Sequence, residues 1–188
     1  MGYTHYLYRP EQIKNWDKII IDTKQAHDLV SSLGIDIVHG SGEPNSSPEF
    51  SNELICFNGS NQQMPNKFTT KNNFGIAWSN QKKEQFLEVR RLLDRDGSCE
   101  TLFISRKYDF SYGKDINYNG NYFTFCKTRY YPYDILVMSV YLIVKIHDNR
   151  CIIASDGQRE DWQLAIAIIE KNLQKDSQIL SQFLEENL

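Results

Sequence analysis

Two short stretches each combine hydroxyl, cationic and acidic side chains just ahead of an expected helix. One is Cys126-Lys127-Thr128-Arg129, leading to Asp134; the other is Ser155-Asp156-Gly157-Gln158-Arg159. The first turn of a helix exposes unpaired N–H groups and the positive end of the dipole, so an anion such as phosphate is welcome there. Lys127, Arg129 and Arg159 are placed to complete such a site beside Thr128 and Ser155. The plainer alternative is that Asp134 and Asp156 only cap their helices and the cations are solvated.

The opening segment is a second candidate. Thr4, His5 and Tyr6 are polar or amphipathic residues in a short element, so one face can pack while the other presents His5 to a cleft. Paired with a carboxylate, a histidine serves as general acid or base, but a lone one is more often structural. Asn58, before Gly59, ends an expected strand; it reads as a turn residue or as a side chain that contacts a base or ribose edge. A third candidate is the tyrosine-rich stretch, since seven of the 11 tyrosines fall between Tyr108 and Tyr133. Tyr108, Tyr112, Tyr118, Tyr130 and Tyr131 lie among Arg106, Lys107, Lys114 and Arg129, a mixture that stacks nucleobases or serves as a protein-binding loop.

The elements that must position these residues follow from periodicity and punctuation. Residues 3–8 read as a strand. Arg9-Pro10 opens a helix with Ile13, Trp16, Ile20, Thr23, Ala26, Val30 and Leu33 on one face, stopped by Gly34. Strands are expected over 35–38, 54–57, 74–78 and 102–105, with loops over 40–52 and 60–73 and a helix carrying Phe86, Val89, Leu92 and Leu93. Residues 107–121 read as a long loop or irregular hairpin. The last third reads as strand 122–126, a buried helix from Pro132 to Ile146, strand 151–154, and a helix capped by Asp156. That final helix carries Trp162, Ile166, Ile169, Leu173, Leu180 and Leu184. The rival for 132–146 is a long strand, given its β-branched residues.

The expected class is α+β, with an α/β-like C-terminal β-α-β-α unit and a single mixed sheet flanked by about four helices over one domain, 1–188. A right-handed crossover would set the loops at 127–134 and 155–159 on the carboxyl rim of the sheet, where α/β ligand sites form.

Composition limits the function. The chain has 188 residues, 40% hydrophobic and 24% charged, with a formal charge of −3, which suits a globular protein and argues against duplex nucleic acid as a main partner. The N-terminus shows neither a secretory nor a myristoylation pattern, and the longest apolar run is too short to span a bilayer, so the expected location is the cytoplasm, without membrane contact. Cys56, Cys99, Cys126 and Cys151 form no C-x-x-C, and the four histidines are dispersed, so neither metal nor cofactor is expected.

Met1-Gly2-Tyr3-Thr4-His5-Tyr6, Phe125-Cys126-Lys127-Thr128 with Pro132-Tyr133-Asp134, and Ser155-Asp156-Gly157 with Asp161-Trp162 together resemble a family of small proteins of phages and bacteria. That family carries no assigned activity or residue roles, so the resemblance implies a viral setting and no mechanism. It covers both ends of the chain; residues 40–120 match poorly, and 107–121 look like an insertion.

The leading expectation is a protein that binds a small anionic, nucleotide-like ligand; in a phage setting one use is to sequester a host nucleotide signal in the host cytoplasm. The first alternative is a small hydrolase or phosphodiesterase, with His5 or Asp156 as general acid or base and Lys127 stabilising charge, although no nucleophile elbow or P-loop is present. The second is a protein-interaction module that uses the tyrosine-rich segment against a host factor. Self-association into a homo-oligomer is compatible with all three.

Overall fold

The computed structural model describes residues 3–62, 97–109, 116–117 and 120–173. The strand expected at 74–78, the helix through Leu93, most of the loop at 60–73 and the final-helix residues Leu180 and Leu184 lie outside them.

The chain opens with β1 (Thr4–Arg9), in which side chains alternate between two faces. α1 (Trp16–Ser32) buries Trp16, Ile19, Ile20, Thr23, Ala26 and Val30, the expected helical stripe. It starts later than Pro10 suggested. The backbone before it is held extended by the Ile13 N–H donating to Arg106 O and by a bridge between Gln12 and Lys107. Gly34, at φ 81, ends the helix as expected.

A small antiparallel sheet follows. Its centre is β4 (Leu54–Gly59), which pairs with β2 (Ile37–Val38), β3 (Glu49–Phe50) and β5 (Leu102–Ser105). β6 (Ile116–Asn117) and β7 (Asn121–Lys127) form a hairpin, α2 (Asp134–His147) and β8 (Ile152–Ser155) come next, and a 3-10 turn (Arg159–Trp162) leads into α3 (Gln163–Leu173).

The main sheet has the order β6-β7-β1-β8, and every neighbouring pair is antiparallel. β7 and β8 therefore run parallel to each other, as the C-terminal β-α-β reading requires, but β1 lies between them. The class is α+β, as expected, while the single mixed sheet is replaced by two antiparallel ones. The reason is that β1 takes the central position: each edge of it pairs with a strand running the opposite way.

α2 is a helix, and its even apolar coverage follows from burial: every residue from Asp134 to Val144 is buried. Its first residue is Asp134 rather than Pro132. α1 and α3 pack beside it, and the inward residues Leu7, Cys126 and Ile153 of the sheet close the core. Arg9 ties the two sheets together. Its buried guanidinium donates to the carbonyls of Ser105, Arg106 and Glu11, and burial pulls its pKa down to about 10, which leaves it charged at neutral pH. Among the described residues, no helix is long and apolar enough to cross a membrane.

Candidate functional site

Register decides which side chains meet. In β1, His5 lies opposite Cys126 of β7 and Ser155 of β8, so the three share the inner face of the sheet. β7 ends at Lys127 and β8 at Ser155, and both strands leave the sheet at the end where β1 begins. The loops at 127–134 and 155–159 thus open on one rim, flanking Thr4. The Thr128 and Arg129 amides both donate to Tyr3 O, and the Asp156 amide donates to Thr4 O.

At that rim four of the sequence-predicted residues form a continuous hydrogen-bonded chain. Thr128 Oγ1 donates to Asp134 Oδ1 at 2.5 Å, His5 Nε2 meets the same oxygen at 2.7 Å, and His5 Nδ1 lies 2.8 Å from Ser155 Oγ. The Gly157 amide donates to Ser155 Oγ at 2.9 Å. A carboxylate only accepts, so Nε2 carries a proton; in the neutral ring Nδ1 then accepts from the Ser155 hydroxyl. His5, Thr128 and Asp134 are at most 1% exposed, whereas Ser155 is half-buried. The chain therefore runs from a buried carboxylate to a hydroxyl near the surface.

Aromatic rings fix the imidazole. Tyr3 and Trp162 meet it edge-on, with ring centroids 4.8 and 5.1 Å away, and Tyr141 lies at 6.4 Å. Gly157 permits this closeness, because a Cβ there would come within 2.5 Å of the Tyr3 hydroxyl. Arg129 and Tyr130 both take left-handed backbone angles, φ 54 and 59, uncommon for residues with side chains. This turn lays Tyr130 flat on Tyr3, with centroids 3.5 Å apart.

Glu100 is a participant the sequence did not reveal. Its side chain accepts the Lys127 amide at 2.6 Å, and its carbonyl accepts the Tyr133 hydroxyl at 2.7 Å. It thereby holds the end of β7 against the small sheet. Burial pushes the Tyr133 and Cys126 pKa values far up, so both stay neutral.

The outer face of the main sheet carries different chemistry. Tyr6 and Tyr8 pair in register with Phe125 and Phe123, Ile152 and Ala154 continue the row on β8, and Lys127 closes it beside Thr4. Tyr6 stacks on Phe123 at 5.9 Å, and Phe123 on Phe125 at 5.6 Å. Phe125 is 46% exposed and Ile152 39%. Tyr6 also donates to Asp156 at 3.1 Å, and its pKa is raised by burial and by that carboxylate. The signal for this face was present as Tyr6-x-Tyr8 and Phe123-x-Phe125, a period of two aromatic residues.

Other predicted residues have different positions. Asp156 caps neither the 3-10 turn nor α3. That start is closed by Gln158 and Asp161, with the Gln158 amide donating to Asp161 at 2.8 Å, and Arg159 sits exposed on the turn. The two helix starts thus carry carboxylates of their own, Asp134 and Asp161. Asn58 belongs to the small sheet, where its amide group donates to Cys99 O and accepts the Gly59 and Cys99 amides; it anchors residues 97–101 and is not part of the rim chain. Tyr131 is buried, and Tyr108 stacks on Tyr122 at 4.3 Å, so these tyrosines are committed to packing. Tyr112, Lys114 and Tyr118 lie outside the described residues. Among the described residues, no group of three or more His, Cys, Asp or Glu side chains is arranged to hold a metal ion. Comparison with protein-family models, curated proteins and solved structures gave no match.

Proposed function

We propose that the protein binds a small anionic, nucleotide-like ligand on the outer side of this rim. The observation that carries the reading is the row of stacked aromatic side chains on the solvent-facing sheet, running through Phe125 to Lys127. A base lies against Phe125 and Tyr6, since every base offers a π-face and such stacking contributes about 1–3 kcal/mol. Asp156, already an acceptor for Tyr6, takes a ribose hydroxyl or a base amine. The phosphate belongs with Lys127 and the exposed Arg129, because Asp134 and Asp161 already place negative charge at the helix starts. The resemblance to phage proteins gives this binding a use, the sequestration of a host nucleotide signal as an anti-defence measure.

Calorimetric titration with nucleoside mono-, di- and cyclic phosphates tests the reading. Binding is expected to weaken by about tenfold in Phe125→Ala, as the stacking term predicts. No heat at millimolar nucleotide, or equal affinity in the variant, would overturn it.

A further inference from the structure

Ser155 lies on the opposite, inner side of the sheet from Phe125. It ends a hydrogen-bonded chain that the binding reading does not use. We propose that Ser155 is a base-activated nucleophile that accepts the acyl group of a carboxylic ester, with His5 as the general base and Asp134 as its positioning residue.

Nucleophilic serine chemistry requires an order, and the chain has it: hydroxyl, imidazole, carboxylate. Ser155 Oγ to His5 Nδ1 is 2.8 Å, and His5 Nε2 to Asp134 Oδ1 is 2.7 Å. The ring is used in the sense that sets Nδ1 on the serine; either nitrogen serves, because each ends one of the two proton sites of the imidazole. Asp134 selects the tautomer that leaves Nδ1 free to take the serine proton, and it stabilises the imidazolium that then forms. Thr128 donates to the same carboxylate oxygen and orients it. The Gly157 amide donates to Ser155 Oγ at 2.9 Å and holds the hydroxyl in place. Burial grades along the chain, with the acidic end sealed and only the nucleophile half-exposed.

The step balances without another reagent. Ser155 Oγ bonds to the carbonyl carbon, its proton passes to His5 Nδ1, and the ester C–O bond breaks. The leaving alcohol takes the proton from His5, and the acyl group stays on Ser155. Water then adds to the acyl carbon and gives a proton to His5. The serine oxygen leaves with that proton, releasing the carboxylic acid.

The test is labelling of the intact protein with a fluorophosphonate, which forms a Ser–O–P bond with loss of fluoride, followed by intact mass and peptide mapping. The hydrolysis of p-nitrophenyl acetate is followed in parallel. One adduct on Ser155 is expected, absent in Ser155→Ala and formed about 100-fold more slowly or worse in Asp134→Asn, the scale of lost general-base assistance. The wild-type labelling rate is expected to fall on acidification, as protonation removes the base; this readout does not depend on whether Asp134→Asn folds. No adduct on Ser155 after prolonged exposure to millimolar probe, an unchanged rate in folded Asp134→Asn, or a rate independent of pH would each overturn the proposal. The nucleotide titration reads the outer face, so either reading can fail without the other.

Discussion

Replacing Asp134 with alanine probes the rim through stability alone. Asp134 is 1% exposed and accepts from His5 and Thr128, neither of which reaches solvent. Removing the acceptor strands two buried donors, at about 1–3 kcal/mol each. Relief of the carboxylate's own desolvation offsets part of this, so the expected loss is about 3–4 kcal/mol. With a urea m-value of about 2 kcal/mol/M for a protein of this size, the midpoint should fall by about 1.5–2 M. Ser155→Ala removes the donor at the half-exposed end, where water can substitute, and should cost only about 1 kcal/mol. Trp16 and Trp162 are fully buried reporters for fluorescence-detected unfolding, and Trp162 lies against His5. A loss below about 1 kcal/mol in Asp134→Ala, or equal losses in the two variants, would refute the graded chain from buried carboxylate to surface hydroxyl.

Other outcomes follow from the same structure. Burial raises the Asp148 pKa, but hydrogen bonds from the Arg150 guanidinium and from the Lys14 and Arg150 amides more than offset it, leaving the pKa below that of an ordinary aspartate. A depressed folded pKa stabilises above that value and loses the contribution as pH falls through the folded pKa; acid unfolding curves of Asp148→Asn should lack this component below about pH 4. A wild-type pH dependence preserved in the variant would contradict this. Burial pushes the Cys151 pKa up to about 12 and holds the Cys126 pKa well above the usual thiol range, so at pH 8 Ellman's reagent should modify neither thiol until the protein unfolds. Modification of all four cysteines in the native state would count against the burial. Gly59→Ala would set a Cβ 2.1 Å from the Gly97 carbonyl oxygen; since backbone must move, thermal or urea unfolding should show a loss of about 3 kcal/mol or more. A neutral effect would mean that the 97–101 segment is not packed against β4.

Much of the fold was legible because local patterning carries it. The stripe from Trp16 to Val30 defines α1, and the length and uniform apolarity of the run after Asp134 mark a helix buried on all sides. The start of α1 was misread because residues 11–13 pair with the chain after β5, a contact absent from local sequence. Strand order was hidden for the same reason: nothing in Thr4–Arg9 announces that β1 separates β7 from β8. Nine of the candidate residues come together at the rim: Thr4, His5, Tyr6, Lys127, Thr128, Arg129, Asp134, Ser155 and Asp156. What could not be read was the partnership of His5 with Asp134 and Ser155, 129 and 150 positions away. Asn58 lies apart from the rim, and its place is not legible because a strand-end asparagine looks the same in sequence whether it faces a ligand or ties a neighbouring loop, as its bonds to Cys99 do.

The proposed ligand site is the rim where β7 and β8 leave the sheet on either side of β1. Amide NMR of the labelled protein titrated with a nucleoside monophosphate tests it most directly. Saturable shifts concentrated at Tyr6, Phe125, Lys127, Arg129 and Asp156 are the predicted result. Shifts centred on β4 and Asn58, or none at millimolar nucleotide, would contradict it.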